Sequence, residues 1–396
     1  MGLAKRQMEE ELERGWSSIG KDICTDCVTN PALKEIVEKN LEANECDYCG
    51  RTADEPIAAD TDHVMEQIGE SFASEYADPI EELPYESREG GYQGDWFDTW
   101  ELYFKVNEEI AVDGFIEDMV NAYGDRGWTQ RDYFISTPDQ ALIFSWERFA
   151  ELVKYDQRFL ILGRRDDEYY EPHEVEPAEM LTKIGALVVE TGLVRELDAG
   201  TDVYRARPHA PNVSYTTAAE LGTPPREAAF SNRMSPAGIP LFYGAFDAET
   251  VIAEVWPEPS AGKEAATIAR FTTSAPLPVI DLAALPDVPS IFDGERRHLR
   301  APLRFLHAFA DSISEPVTSE RSDRDVVAYV PTQVVSEYFR TLFGREQTPL
   351  RGMVFRSSRR EGGTNCALFL GSEECVDAAP AEGDVALVLG DVETRG

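Results

Sequence analysis

At 396 residues with 42% apolar side chains, the chain is long enough for two domains and a sizeable core. Its formal charge of -37 at pH 7 repels phosphate backbones and anionic lipids, which argues against non-specific nucleic-acid or membrane binding. No run approaches the ~18 consecutive apolar residues of a membrane helix. The start, MGLAKRQMEEELERGW, is charged where a signal peptide would be apolar, so a cytoplasmic protein is expected.

Residues 5–15, with alternating charges, predict a short exposed helix. Cys24, Cys27, Cys46 and Cys49 then form a C-x2-C-x18-C-x2-C frame. Two such knuckles offer four thiolates to one tetrahedral ion, which points to a structural Zn2+ rather than a redox pair, because four sulfurs leave no open coordination position. Between the knuckles, Leu33, Ile36, Val37 and Leu41 recur at helical spacing, so a helix is expected to pack across the metal site. Helical periodicity returns over 60–76 and 101–123, separated by the polar ESREGGYQGD.

A further helix starts at Thr137-Pro138-Asp139-Gln140, which supplies an N-cap, a first-turn proline and a capping-box glutamine. It carries Leu142, Trp146, Phe149 and Val153 on one face. The aromatics before residue 150, among them Trp96, Trp100, Tyr103, Phe104, Phe115, Trp128, Phe144 and Trp146, are expected to form the core of a small helical domain. GRRDDEYYEPHEVEP, at 163–177, reads as a linker, and one more helix follows with Met180, Ile184, Leu187 and Val188.

From about residue 199 the texture changes to short apolar runs broken by Gly and Pro. TDVYRARP, IPLFYGAF, ATIARFTT, LPVIDL, DVVAYVP, GMVFRSS and CALFLG predict strands. DAETVIAEVW, RRHLRAPLRFLHAFADSI and TQVVSEYFRTLF predict helices, which makes this half an α+β domain. Cys366 and Cys375 are expected as reduced core thiols. Charge supports the division: residues 1–200 carry -29 and the remainder -8.

No phosphate-binding loop, dinucleotide fingerprint, serine-hydrolase elbow or zinc-protease motif is present. The five histidines share no ligand spacing, which disfavours a histidine-based hydrolase or a catalytic zinc centre. What stands out is an ordered set: Tyr204-Arg205-Ala206-Arg207, PPREAAFSNRMSPAGIPLFYGAFDAETVIAEV, YVPTQVVSEY and GMVFRSSRREGGTN. Over 199–385 this resembles the RES domain, named for an arginine, a glutamate and a serine. CTDCVTNPALKEIV through ECDYCG is similar to the N-terminal domain that precedes RES or HEPN domains.

The resemblance implies an ADP-ribosyltransferase-like fold and a toxin of the toxin–antitoxin type that destroys NAD. It places the family arginine on Arg205, the glutamate on Glu254, the serine on Ser357, the second arginine on Arg233 and the pocket tyrosine on Tyr243. Asn365 is an added polar contact. Ser235 stands where the family has Asn, and Phe355 where an aromatic hydroxyl is common.

Arg205, Glu254 and Ser357 are thus the expected catalytic set, with Arg205, Arg233, Tyr243, Ser357 and Asn365 holding NAD. Arg205 and Arg233 would grip the pyrophosphate, Glu254 would stabilise a cationic ribose, and Ser357 would bond the leaving half or the phosphate. The expected organisation is an acidic helical domain over 1–165 with a zinc ribbon at 24–49, a linker and helix over 166–198, and a RES domain over 199–396. The expected reaction is cleavage of the nicotinamide–ribose bond with water or phosphate as acceptor. Protein ADP-ribosylation and an inactive partner-binding module are the alternatives. A protein antitoxin or regulator is an expected partner.

Overall fold

The computed structural model describes residues 11, 13–161, 170–256, 262–315, 327–344, 349–379 and 385–396. Most of the helix expected over 5–15 and the first part of the expected linker, up to residue 169, lie outside them. The chain divides into two compact units, Met1–Thr137 with Val288–Ala301, and Pro138–Asp287 with Pro302–Gly396.

In the first unit, strand β1 (Asp22–Cys24) pairs antiparallel with β2 (Ala58–Asp60). Helix α1 (Pro31–Lys39) starts where the Asn30 side chain accepts from the Ala32 and Leu33 amides, and it buries Leu33 and Val37. Asp60 caps α2 (Thr61–Glu75), which buries Val64, Met65, Ile68 and Phe72.

The single helix expected over 101–123 is two, α3 (Thr99–Val106) and α4 (Asp113–Tyr123). Asn107 adopts the left-handed conformation at φ 53° and ends the first. Ile291 and Phe292, from the second segment of this unit, complete its core. Arg300, 7% exposed, ties that segment down by reaching Glu75 at 2.8 Å and Glu108 at 3.3 Å.

The aromatic expectation needs correction. Phe115 and Trp128 are core residues of this unit, and Trp146 is buried in the other. Trp96, Trp100, Phe104 and Phe144 are exposed. Trp100 and Phe104, one helical turn apart on α3, stack on each other at 6.3 Å rather than entering the core.

The second unit is α+β. Helices α5 (Pro138–Glu151) and α6 (Met180–Glu190) precede its strands. The strands are β3 (Val194–Leu197), β4 (Asp202–His209), β5 (Phe242–Ala245), β6 (Ala265–Thr273), β7 (Leu277–Asp281), β8 (Gly352–Arg356), β9 (Thr364–Leu368), β10 (Cys375–Val376) and β11 (Leu387–Arg395). Helix α7 (Ala248–Val255) follows β5, α8 (Arg300–Ser314) follows β7, and α9 (Val330–Thr341) precedes β8.

The strands form one mixed sheet in the order β10-β11-β6-β4-β5-β9-β8-β7-β3. Strands β4 and β5 share a single residue pair, Tyr204 opposite Ala245. The described part of DVVAYVP, expected as a strand, is helical and leads into α9, with Pro331 in the first turn where its missing N–H costs nothing. Cys366 and Cys375 are buried thiols. Among the described residues, no helix is long and apolar enough to cross a membrane.

Candidate active site and metal centre

The four N-terminal sulfurs converge. Cys24 Sγ lies 3.7 Å from Cys27 Sγ and 3.7 Å from Cys49 Sγ, and Cys46 Sγ lies 3.8 Å from Cys27 Sγ. All four fall within 4.8 Å of one another, so the cluster could hold a metal ion. Bonds of ~2.3 Å at tetrahedral angles separate sulfurs by about 3.8 Å, whereas a disulfide needs about 2.05 Å. The observed spacing fits one ion between four thiolates. Strand β1 delivers Cys24, and the buried side chains of α1 pack into the same core as Cys24, Cys27 and Cys46.

The second constellation is built on the large sheet. Side chains alternate across a strand, so register decides neighbours. Tyr243 lies opposite Ala367, and Asn365 lies opposite both Ala245 and Phe355, all on one face. Phe242, Cys366 and Val354 belong to the other face and pack with Phe271.

Glu254 is carried by α7, whose N-cap Asp247 accepts from the Thr250 amide at 2.9 Å and its hydroxyl at 2.7 Å. The loop after β8 is tied to the same helix end. Arg360 donates to Asp247 and to the Thr250 hydroxyl, each at 2.9 Å. Two glycines allow this: Gly362 has φ +71°, and a Cβ on Gly363 would sit 2.6 Å from the Thr250 hydroxyl oxygen.

The Ser357 hydroxyl accepts from the Arg359 and Arg360 amides at 3.1 Å each and donates its proton to Glu254 Oε1 at 2.6 Å. Asn365 Nδ2 donates to the same oxygen at 2.8 Å. That bond fixes the amide orientation, since a flipped Asn would turn its own oxygen on the carboxylate. Asn365 is 2% exposed, and its Oδ1 is buried without a partner among the described residues. Glu254 therefore has one oxygen doubly held, and among the described residues the other has no hydrogen-bond partner.

Tyr243 is half-buried beside this carboxylate, its ring 5.9 Å from Phe355. Burial, and then the Glu254 charge, push its hydroxyl well above the usual tyrosine range, with Arg233 pulling the other way. The phenol stays protonated across the physiological range. Arg233 spends two nitrogens on the end of α8, donating to the Ile313 and Glu315 carbonyls at 2.7 Å each, and lies 5.4 Å over the Tyr329 ring.

Arg205 is placed differently. It alternates to the face of Phe242, over whose ring its guanidinium lies at 5.6 Å, and it donates to the Tyr243 carbonyl at 2.8 Å. Burial lowers its pKa to about 10. Glu254, Ser357, Asn365 and Tyr243 thus gather on one face with Arg233 nearby, while Arg205 braces the Tyr243 backbone from behind.

Tyr329 was missed by sequence reasoning although it opens the YVPTQVVSEY segment. Asp247, Thr250 and Arg360 were missed too, because their contribution is to position a helix.

An α+β domain with an oriented carboxylate on one sheet face is the class defined here. The model of the RES domain matches residues 202–389, and that of HEPN/RES N-terminal domain 1 matches residues 39–167. The C-terminal half of the chain belongs to the RES family, an NAD-related, toxin-like family of enzymes, and a HEPN/RES-type N-terminal domain precedes it. No curated protein and no solved structure matches the chain.

Proposed function

We propose that the chain consumes NAD by cleaving its nicotinamide–ribose bond, with water or phosphate as acceptor. The observation that carries this reading is the Glu254 carboxylate, its Oε1 held by Ser357 and Asn365 and its charge felt by Tyr243. In the step, the bond between ribose C1′ and the pyridinium nitrogen breaks and its electron pair leaves with neutral nicotinamide. The ribose becomes oxocarbenium-like, and Glu254 stabilises that positive charge without a covalent bond. The acceptor oxygen then bonds to C1′ and releases a proton. Preorganisation does most of the work because the leaving group is good.

In this reading Tyr243 stacks on nicotinamide and Arg233 contributes positive charge near the pyrophosphate. Ser357 and Asn365 hold the carboxylate, a change from the ligand contact first expected of Ser357. Arg205 contributes by setting the Tyr243 backbone.

We further propose that Cys24, Cys27, Cys46 and Cys49 bind a structural zinc ion that staples the N-terminal domain, and that a protein antitoxin or regulator controls the enzyme. The test is to incubate the purified protein with NAD, with and without phosphate, beside a Glu254→Ala control, and to resolve the products. Nicotinamide release that disappears in the control supports the reading, and phosphate dependence names the acceptor. Label retained on protein would replace it with ADP-ribosyl transfer. Equal release from both proteins would remove Glu254 from the reaction.

A further inference from the structure

On the face of the sheet that carries Tyr243 and Asn365, a second concavity opens at the far end of the same strands. It is a cavity of about 340 Å³, within the ~300–1,000 Å³ range of ligand pockets. Leu241, two residues before Tyr243, and Phe369, four residues after Asn365, form its apolar wall. Four residues at ~3.3 Å rise put the Phe369 end about 13 Å from the Glu254 corner. Leu241 also packs in one cluster with Phe355, and Tyr243 packs against that cluster, so the two sites share a wall.

The polar lining is built rather than incidental. Gln333 and Ser336 on α9 are 7% and 2% exposed. Gln333 Nε2 is occupied by the Asn232 carbonyl at 2.7 Å and the Ser231 hydroxyl at 3.1 Å. Its Oε1 is therefore the atom left to receive a donor from an occupant, and Ser336 adds a hydroxyl that can give or take. At the mouth, exposed Arg226 and Arg340 supply positive charge beside Glu337 in a chain that is otherwise strongly acidic.

A flat apolar wall, a buried acceptor for an exocyclic amine, a carboxylate for sugar hydroxyls and two guanidinium groups for phosphate together describe an adenylate site. We propose that this cavity takes the adenylate half of a dinucleotide whose other half lies at Glu254. The inference rests on the NAD reading above and extends it to a second subsite on the same sheet face.

The experiment uses the full chain and AMP as the probe. Titration calorimetry measures AMP binding to the wild type, to Arg226→Ala/Arg340→Ala and to Ser336→Leu, which fills the cavity, with circular dichroism to verify folding. The expected result is AMP binding that weakens about tenfold or more in the double variant and is lost in Ser336→Leu, with KM for NAD rising in parallel. No AMP binding at millimolar concentration, or unchanged binding in the folded variants, overturns the inference even if NAD is cleaved. AMP binding that the variants abolish in a protein that leaves NAD intact keeps the adenylate site and rejects the NAD-cleavage reading instead.

Discussion

Ser357 and Glu254 lie 103 positions apart in the chain and 2.6 Å apart in space, and the serine proton is committed to the carboxylate. Because two backbone amides already donate to the Ser357 oxygen, the hydroxyl has one direction in which to point. Its place is to aim Glu254. A lost hydrogen bond to a charged group is worth ~1.5–3 kcal/mol, or about 10- to 100-fold in rate. Ser357→Ala is therefore expected to slow nicotinamide release by that factor with little change in KM for NAD, measured by steady-state kinetics. A rise in KM at constant kcat would make Ser357 a ligand contact after all.

Asn365→Ala removes one donor to Glu254 together with a buried acceptor that has no partner. Losing the orphaned acceptor relieves a desolvation penalty of ~1–3 kcal/mol, which offsets the small cavity left behind. Stability should change by no more than about 1 kcal/mol in denaturant unfolding while activity falls at least tenfold. Large destabilisation with unaltered activity would make Asn365 an ordinary core residue.

Half of this site was legible in the sequence and half was not. The strand and capped helix that carry Tyr243 and Glu254 are written locally, but singling out those two residues took the resemblance to the RES domain. Arg205 could not be assigned a face, since that depends on which side of β4 meets β5, a matter of long-range register. The resemblance makes Arg233 a phosphate ligand, yet two of its nitrogens hold the Ile313 and Glu315 carbonyls at the end of α8, about eighty residues later. The break at Asn107 was similarly hidden, because left-handed asparagine leaves no mark on hydrophobic periodicity.

The metal centre predicts a stability signature. Acid release or a thiol-modifying reagent should free one zinc per chain, quantified with a colorimetric chelator, and Cys27→Ser should lower that to a substoichiometric value. Chelation should lower the melting temperature of the first unit, because a structural zinc site contributes directly to folding free energy. Disulfide formation without metal would contradict the assignment.

Arg300 is buried between Glu75 and Glu108. Arg300→Ala removes the cation shared by two carboxylates that are 30% and 22% exposed, and Glu108 keeps its bonds from Asn30, Ser290 and Ile291, so the cost should fall below the ~3–5 kcal/mol of a fully buried pair. Thermal unfolding of this variant should show early loss of the Trp128 signal, whose indole is buried in the first unit. A shift below a degree would mean that the network adds no stability.

The Asp247 cap gives a pH dependence. Burial works against its ionised form, but the Thr250 hydrogen bonds and the Arg360 charge outweigh it and hold its pKa below the ordinary 3.8. Its contribution is fully present above about pH 3.8 and is lost as pH falls through the lower folded value. Asp247→Asn keeps a helix cap but loses the charge that Arg360 and the Thr250 donors favour, so it should be less stable than wild type at neutral pH and approach it below about pH 4, giving a shallower stability curve there. Parallel wild-type and variant curves would place the acid response elsewhere.

The two donors to Glu254 also have a bearing on synthesis. A ribosome that has made the glutamate must add more than a hundred further residues before Ser357 and Asn365 exist to orient it. Asn365 lies on β9, which adjoins β5, and Ser357 follows β8, the next strand out, so a chain cut before Asn365 lacks the aligned carboxylate. On the reading proposed above, a chain whose synthesis stops before Asn365 would be inert.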